Sequence, residues 1–178
     1  AGCDLVQSID TQVADVHFPA SAPAHLIAQR ALRCAASDLA AMGARPLWLS
    51  LGVILEAGLE FQCLERIVKS IAAKAKEARV QIVCGDTKVV ERGKGDGLFI
   101  NTSAIGVVDH PHRIDPTSVE PGDVVLVSGD LGRHGLAILA ARDELKLRST
   151  LESDLACLLA PVHSLLSQGV SPHCLRDL

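Results

Sequence analysis

Tyrosine is missing from this 178-residue chain, and one tryptophan with three phenylalanines brings the aromatic share to only 2%. The core must therefore be built from Leu, Ile, Val and Ala, and nucleobase stacking on aromatic platforms is excluded as a main binding mode. No basic run occurs and the formal net charge is −4, which argues against nucleic acid as a partner. Every apolar run is too short or too interrupted to span a membrane, and no secretory signal is apparent, so a cytoplasmic protein is expected. The six cysteines (Cys3, Cys34, Cys63, Cys84, Cys157, Cys174) form no CxxC pair. They read as buried free thiols rather than a disulfide framework or metal site. Histidines are scattered except for His110 and His112 around Pro111, a pair that reads as a loop after a strand. Both standard nucleotide signatures, GxxxxGK[ST] and GxGxxG, are absent.

What is present is a strongly apolar chain, 48% hydrophobic with mean hydropathy +0.29, long enough for one domain and part of a second. Leu5 to Asp10 is a short strand candidate. Ser21 caps a helix with Pro23 in its first turn, and Gly43 ends it. Leu26, Ile27, Ala31, Cys34, Ala35, Leu39 and Met42 supply that helix's apolar face. Leu47 to Leu55 is almost unbroken in apolar character, which predicts a strand covered on both faces. A second helix runs from about Glu60 to Ala78, burying Phe61, Leu64, Ile67, Val68, Ile71, Ala72 and Ala75. Strands at Val80 to Cys84 and Leu98 to Val108 follow, joined by a turn over Glu91 to Gly97. Two βα units and a closing strand pair predict a two-layer α/β (α+β) domain, a mixed sheet with helices on one face.

A linker with three prolines starts at His110, so the domain is placed at 1–112 and the start of a second at 113–178. There Asp123 to Ser128 reads as a buried strand, and a glycine turn (Gly129 to Gly135) leads into a helix through Ala141. That turn suits either an anion cradle or a tight connection. Leu151 to Gln168 reads as a helix interrupted at Pro161. The final residues, Leu175 to Leu178, contain no terminating element, as expected of a piece of a larger protein.

The segment Cys84-Gly85-Asp86-Thr87-Lys88-Val89-Val90-Glu91-Arg92-Gly93 follows the third strand candidate. Asp86 could hold Mg²⁺, Gly85 could admit a phosphate to the backbone beside Thr87, and Lys88 and Arg92 could neutralise its oxygens. A polar turn between two strands explains the same letters. Asp10 ends the first strand candidate, and Asp38 lies on an apolar helix without an adjacent cation. An unpaired carboxylate there is costly unless exposed or metal-bound.

Ser37-Asp38-Leu39-Ala40-Ala41-Met42-Gly43-Ala44-Arg45-Pro46 and Gly85-Asp86-Thr87 resemble two elements of the aminoimidazole ribonucleotide synthetase (PurM-like) superfamily. From about residue 47 onward the closer likeness is to the hydrogenase maturation factor HypE, through Gly52 to Leu59, Gly85 to Gly93, Leu98 to Thr102 and Val127 to Gly132. Residues 1–46, with Ser8-Ile9-Asp10-Thr11 and Val16-His17-Phe18, look more like thiamine-monophosphate kinase, as in a chimera or fragment.

The resemblance implies a PurM-like domain that binds ATP against a neighbouring subunit in a homodimer. It assigns Asp10, Asp38 and Asp86 to Mg²⁺ and phosphate. In the HypE family ATP dehydrates a carbamoyl group on the protein's own C-terminal cysteine, giving the thiocyanate precursor of a hydrogenase iron ligand. A carbamoyltransferase and iron-centre assembly factors are the implied partners. Lys88 matches a lysine thought to remove the amide proton, and a lysine partly desolvated beside other cations can act as such a base. A simple phosphate contact is its other reading. The family's N-terminal glycine-rich segment, its acceptor cysteine and the acidic partner of Lys88 have no match here, and Cys174 is not that cysteine. The chain alone is therefore expected not to complete the dehydration. The alternatives are a kinase-like phosphotransferase and a non-catalytic dimerising scaffold.

Overall fold

The computed structural model describes residues 3–141 and 151–177. Its elements are β1 (Asp4–Val13), α1 (Ala24–Ala41), β2 (Arg45–Glu56), α2 (Phe61–Glu77), β3 (Gln81–Val90), β4 (Leu98–Val108), a 3-10 turn (Pro116–Ser118), α3 (Arg133–Ala141) and α4 (Leu159–Ser167). The four strands form one mixed sheet in the order β1-β4-β2-β3. β4 pairs antiparallel with both β1 and β2, while β2 and β3 are parallel and joined through α2. The expected mixed sheet with helices on one face is what the chain forms.

Burial alternates along β4: Leu98, Ile100, Thr102 and Ala104 are buried and their neighbours half-exposed. Ile27, Ala31, Leu39 and Ile71 from α1 and α2 close over that face. The other face is open, with Leu5, Ile9, Trp48 and Ile54 all exposed. The unbroken apolar run of β2 is thus covered on one side, not two. Small residues let α1 lie close to the sheet, since Ala28, Ala31 and Ala35 are fully buried. Phe61 and Val68, expected in the core, are exposed on α2, whose buried line is Ile67, Ile71 and Ala75.

The helix ends explain two further details. Pro23, rather than Ser21, occupies the cap position of α1, with no side-chain bond there. At the other end Gly43 takes φ +69°, its N–H donates to the Ala40 carbonyl, and the Ala44 N–H donates to Leu39, which satisfies two terminal carbonyls. A β-carbon at Gly43 would also meet His110 Nε2 at 2.6 Å.

The later segments differ from expectation. Val124, Val125 and Leu126 are 80–86% exposed and belong to no strand, because the apolar run finds no strand partner among the described residues. Residues 151–158 are not helical; α4 starts at Leu159 and carries Pro161 in its first turn, where a missing N–H costs nothing. All six thiols are free, and Cys3, Cys84 and Cys157 are exposed rather than buried.

Candidate functional site

Alternation along β1 turns Ser8, Asp10 and Gln12 toward the helices, whereas Leu5, Gln7, Ile9 and Thr11 face outward. On α1, Arg30, Cys34 and Asp38 are spaced four apart and so fall on one stripe. Two strand residues advance about 6.8 Å and four helical residues about 6 Å, so the two rows stay in step. They meet as three polar rungs. Ser8 Oγ donates to Asp38 Oδ2, Cys34 is hydrogen-bonded to the Asp10 carboxylate, and Arg30 Nε donates to Gln12 Oε1 at 2.6 Å. Gln12 Nε2 closes the series by donating to Asp10 Oδ2 at 2.6 Å. Thr102 Oγ1, on the neighbouring strand, donates to the Ala31 carbonyl at 3.2 Å.

Burial pushes the Cys34 thiol up to about 12, against the pull of Arg30, so it stays protonated and is no nucleophile. The far end of the seam opens into a cavity of about 270 Å³ lined by Asp38, Met42, Ile114, Asp115, Cys174 and Asp177. Burial, and then the hydrogen bond and charge of Asp38, raise the Asp177 carboxyl above the ordinary carboxylate range. Asp177 is the site residue that sequence reasoning missed. Its only signal was a charged pair, Arg176-Asp177, in an otherwise plain tail.

Asp86 lies elsewhere. It sits on β3, the opposite edge of the sheet from β1, three strand spacings or about 14 Å away. Its partner residue in β2 is Gly52, in the row that includes the exposed Trp48 and Ile54, so Asp86 faces away from α1. Asp10 and Asp38 are thus brought together and Asp86 is not. Among the described residues no three His, Cys, Asp or Glu side chains converge on one metal position. Asp10, Asp38 and the Ser8 hydroxyl offer oxygen donors, the ligand type Mg²⁺ takes, on neighbouring rungs of the seam.

The Gly85 to Gly93 segment is mostly strand, not the turn that ends one. Gly85 is required by packing, because a β-carbon there would stand 2.7 Å from the Leu51 carbonyl oxygen. Thr87 N–H donates to Asp86 Oδ1 at 2.8 Å, and Lys88 Nζ pairs with Asp86 Oδ2 at 3.1 Å. That hydrogen bond and charge hold the Asp86 carboxyl below its ordinary value. Lys88 is exposed, so the desolvation expected of a base is not met within a single chain. Arg92 Nη2 packs against Gly58, and Glu56 accepts from the Gly93 and Gly97 amides at 2.5 and 3.2 Å, ordering the β3–β4 turn.

The family model for AIR synthase related protein, N-terminal domain, matches residues 1–108. The chain belongs to this family. A carbamoyl dehydratase HypE from Cupriavidus necator is 42% identical over 177 residues, 99% of this chain and 50% of the relative. The HypE likeness therefore runs through residues 1–46 as well. A solved HypE structure in complex with ATP superposes with TM-score 0.86 at 40% identity, covering 98% of this chain and 51% of that one. HypE in a HypE–HypF complex gives 0.81 at 39%, covering 92% and 53%. A thiamine-monophosphate kinase from Stenotrophomonas maltophilia gives 0.69 at 31%, covering 97% and 51%, so the kinase-like features fall within the same superfamily. The chain spans about half the length of the curated HypE relative. No described helix is long and apolar enough to cross a membrane.

Proposed function

We propose that this chain is the nucleotide-binding and dimerising portion of a HypE-type, ATP-dependent carbamoyl dehydratase of hydrogenase maturation. The polar seam between β1 and α1 carries the reading, within a fold that matches the ATP-bound HypE structure. Asp10, Asp38 and Ser8 would hold Mg²⁺ and the phosphate oxygens, and the ion would supply charge neutralisation there.

A homodimer formed through the open sheet face would cover Leu5, Ile9, Trp48 and Ile54. It would also desolvate Lys88 and bring the Gly85-Asp86-Thr87-Lys88 edge, with Arg92, toward the partner's seam. Lys88 then removes amide protons as the carbamoyl oxygen takes the γ-phosphoryl group. The C–O bond breaks with loss of phosphate, converting S–C(O)NH₂ and ATP to S–C≡N, ADP and phosphate. Residues 113–178 begin a second domain that supplies the rest of the pocket. A carbamoyltransferase such as HypF and iron-centre assembly factors would be partners in the cytoplasm.

Calorimetry of this chain with Mg-ATP, beside light scattering, tests the reading. Binding by a dimer, reduced by Asp38→Asn, is expected. A dimer giving no heat would favour the scaffold alternative, and a monomer giving no heat would count against both readings. ADP formation dependent on thiamine monophosphate would favour the kinase.

A further inference from the structure

The seam does not end at Gln12. Arg30 Nη1 lies 3.0 Å from Nδ1 of His134, in the first turn of α3, and Ser153 Oγ lies 2.9 Å from the same nitrogen. A guanidinium can only donate, so Nδ1 must accept, which fixes a neutral imidazole with its proton on Nε2. Arg30 at the same time donates to Gln12 Oε1, which turns the Gln12 amide nitrogen toward Asp10. An unbroken chain of hydrogen bonds thus links Ser153, His134, Arg30, Gln12 and Asp10 across residues far apart in sequence.

We propose that Arg30 and His134 form a proton-sensitive latch that holds α3 and its glycine turn against the polar seam. Protonation puts an N–H on Nδ1, aimed at the guanidinium, and both the bond and the charge balance fail. The groups facing the ring oppose protonation on balance. Arg30 from α1 and His17 from the loop after β1 disfavour the charge, while among the described residues Asp154 favours it. Burial and Arg30 together hold His134 below the ordinary histidine value. Its contribution is therefore complete above that ordinary value and is lost as pH falls. Opening would release one wall of a cavity of about 580 Å³, where Ile138 and Ala141 of α3 face Asp15, Phe18 and Ser21.

The latch does not depend on the nucleotide reading, and both readouts use the ligand-free chain. Imidazole ¹⁵N spectra should show the Nε2–H tautomer for His134. Hydrogen exchange over 133–141, corrected for intrinsic rates, should speed up as pH falls from 7.5 to 5.5, by at most about tenfold per pH unit for one proton. His134→Asn keeps an acceptor without a titrating group, so protection should persist and become independent of pH. Arg30→Gln should remove protection at every pH, and His17→Asn should keep a pH dependence, displaced toward higher pH. An Nδ1–H tautomer in the wild type would overturn the proposal. So would a pH dependence that survives in His134→Asn.

Discussion

Leu39 is the residue where the packing account is most exposed to refutation. It is fully buried in α1, beside Asp38, with Cδ1 only 3.3 Å from where a β-carbon on Gly106 would stand. α1 packs against β1, β2, β4, α2 and α4, so the helix cannot settle into a void without disturbing other contacts. Leu39→Ala removes three carbons from a site with little freedom to collapse. The loss should fall at about 3–5 kcal/mol, the upper part of the range for such truncations. For a domain of this size that is a Tm decrease of roughly 6–20 °C. Urea unfolding followed by far-UV circular dichroism should show the midpoint falling with an unchanged slope. A loss below about 1 kcal/mol would mean that α1 is not clamped as described, and that the rungs beneath it are not held in register.

Gly85→Ala pushes a β-carbon into the Leu51 carbonyl and should cost about 1–3 kcal/mol, with faster amide exchange along β3 than along β4. The 173–177 segment should dock less firmly as pH rises. His173 is raised by its bond to Asp123 and Asp177 by burial beside Asp38, so each contributes below its unfolded value and is lost above its folded one. The Asp115 amide, which donates to the His173 carbonyl, should therefore lose exchange protection from pH 6 to 8, after correction for intrinsic rates, in the wild type and less so in His173→Gln. Glu56 shows the opposite sign. The Gly93 and Gly97 amides lower its carboxyl, so order in the β3–β4 turn is present above its unfolded value and lost on acidification. Glu56→Gln should speed exchange at Gly93 and Gly97 at neutral pH.

The α/β layering was legible because α2 keeps a 3.6-residue apolar period and β4 is bounded by Gly97 and the His110 linker. β2 misled, because nine nearly continuous apolar residues cannot reveal that only one face is covered. The seam was half visible: Asp38 stood out as a carboxylate on an apolar helix, and Asp10 as the acidic end of the first strand candidate. Their pairing with Cys34 and Ser8 required knowing that β1 lies antiparallel beneath α1. Motif letters carry no information about sheet order, so the placement of Asp86 on β3, at the far edge from β1, was not legible. His134 was hidden for a simpler reason: nothing near it in sequence hints at Arg30.

Manganese in place of magnesium offers the most direct test of where the nucleotide sits. In ¹⁵N spectra with Mn-ATP, amides at 8–12 and 34–38 should broaden first and most strongly, whereas those at 85–88, about 14 Å away across the sheet, should broaden less and more in a dimer than in a monomer. Sharp signals at 8–12 and 34–38 with ATP bound would contradict the assignment of the β1–α1 seam as the phosphate side.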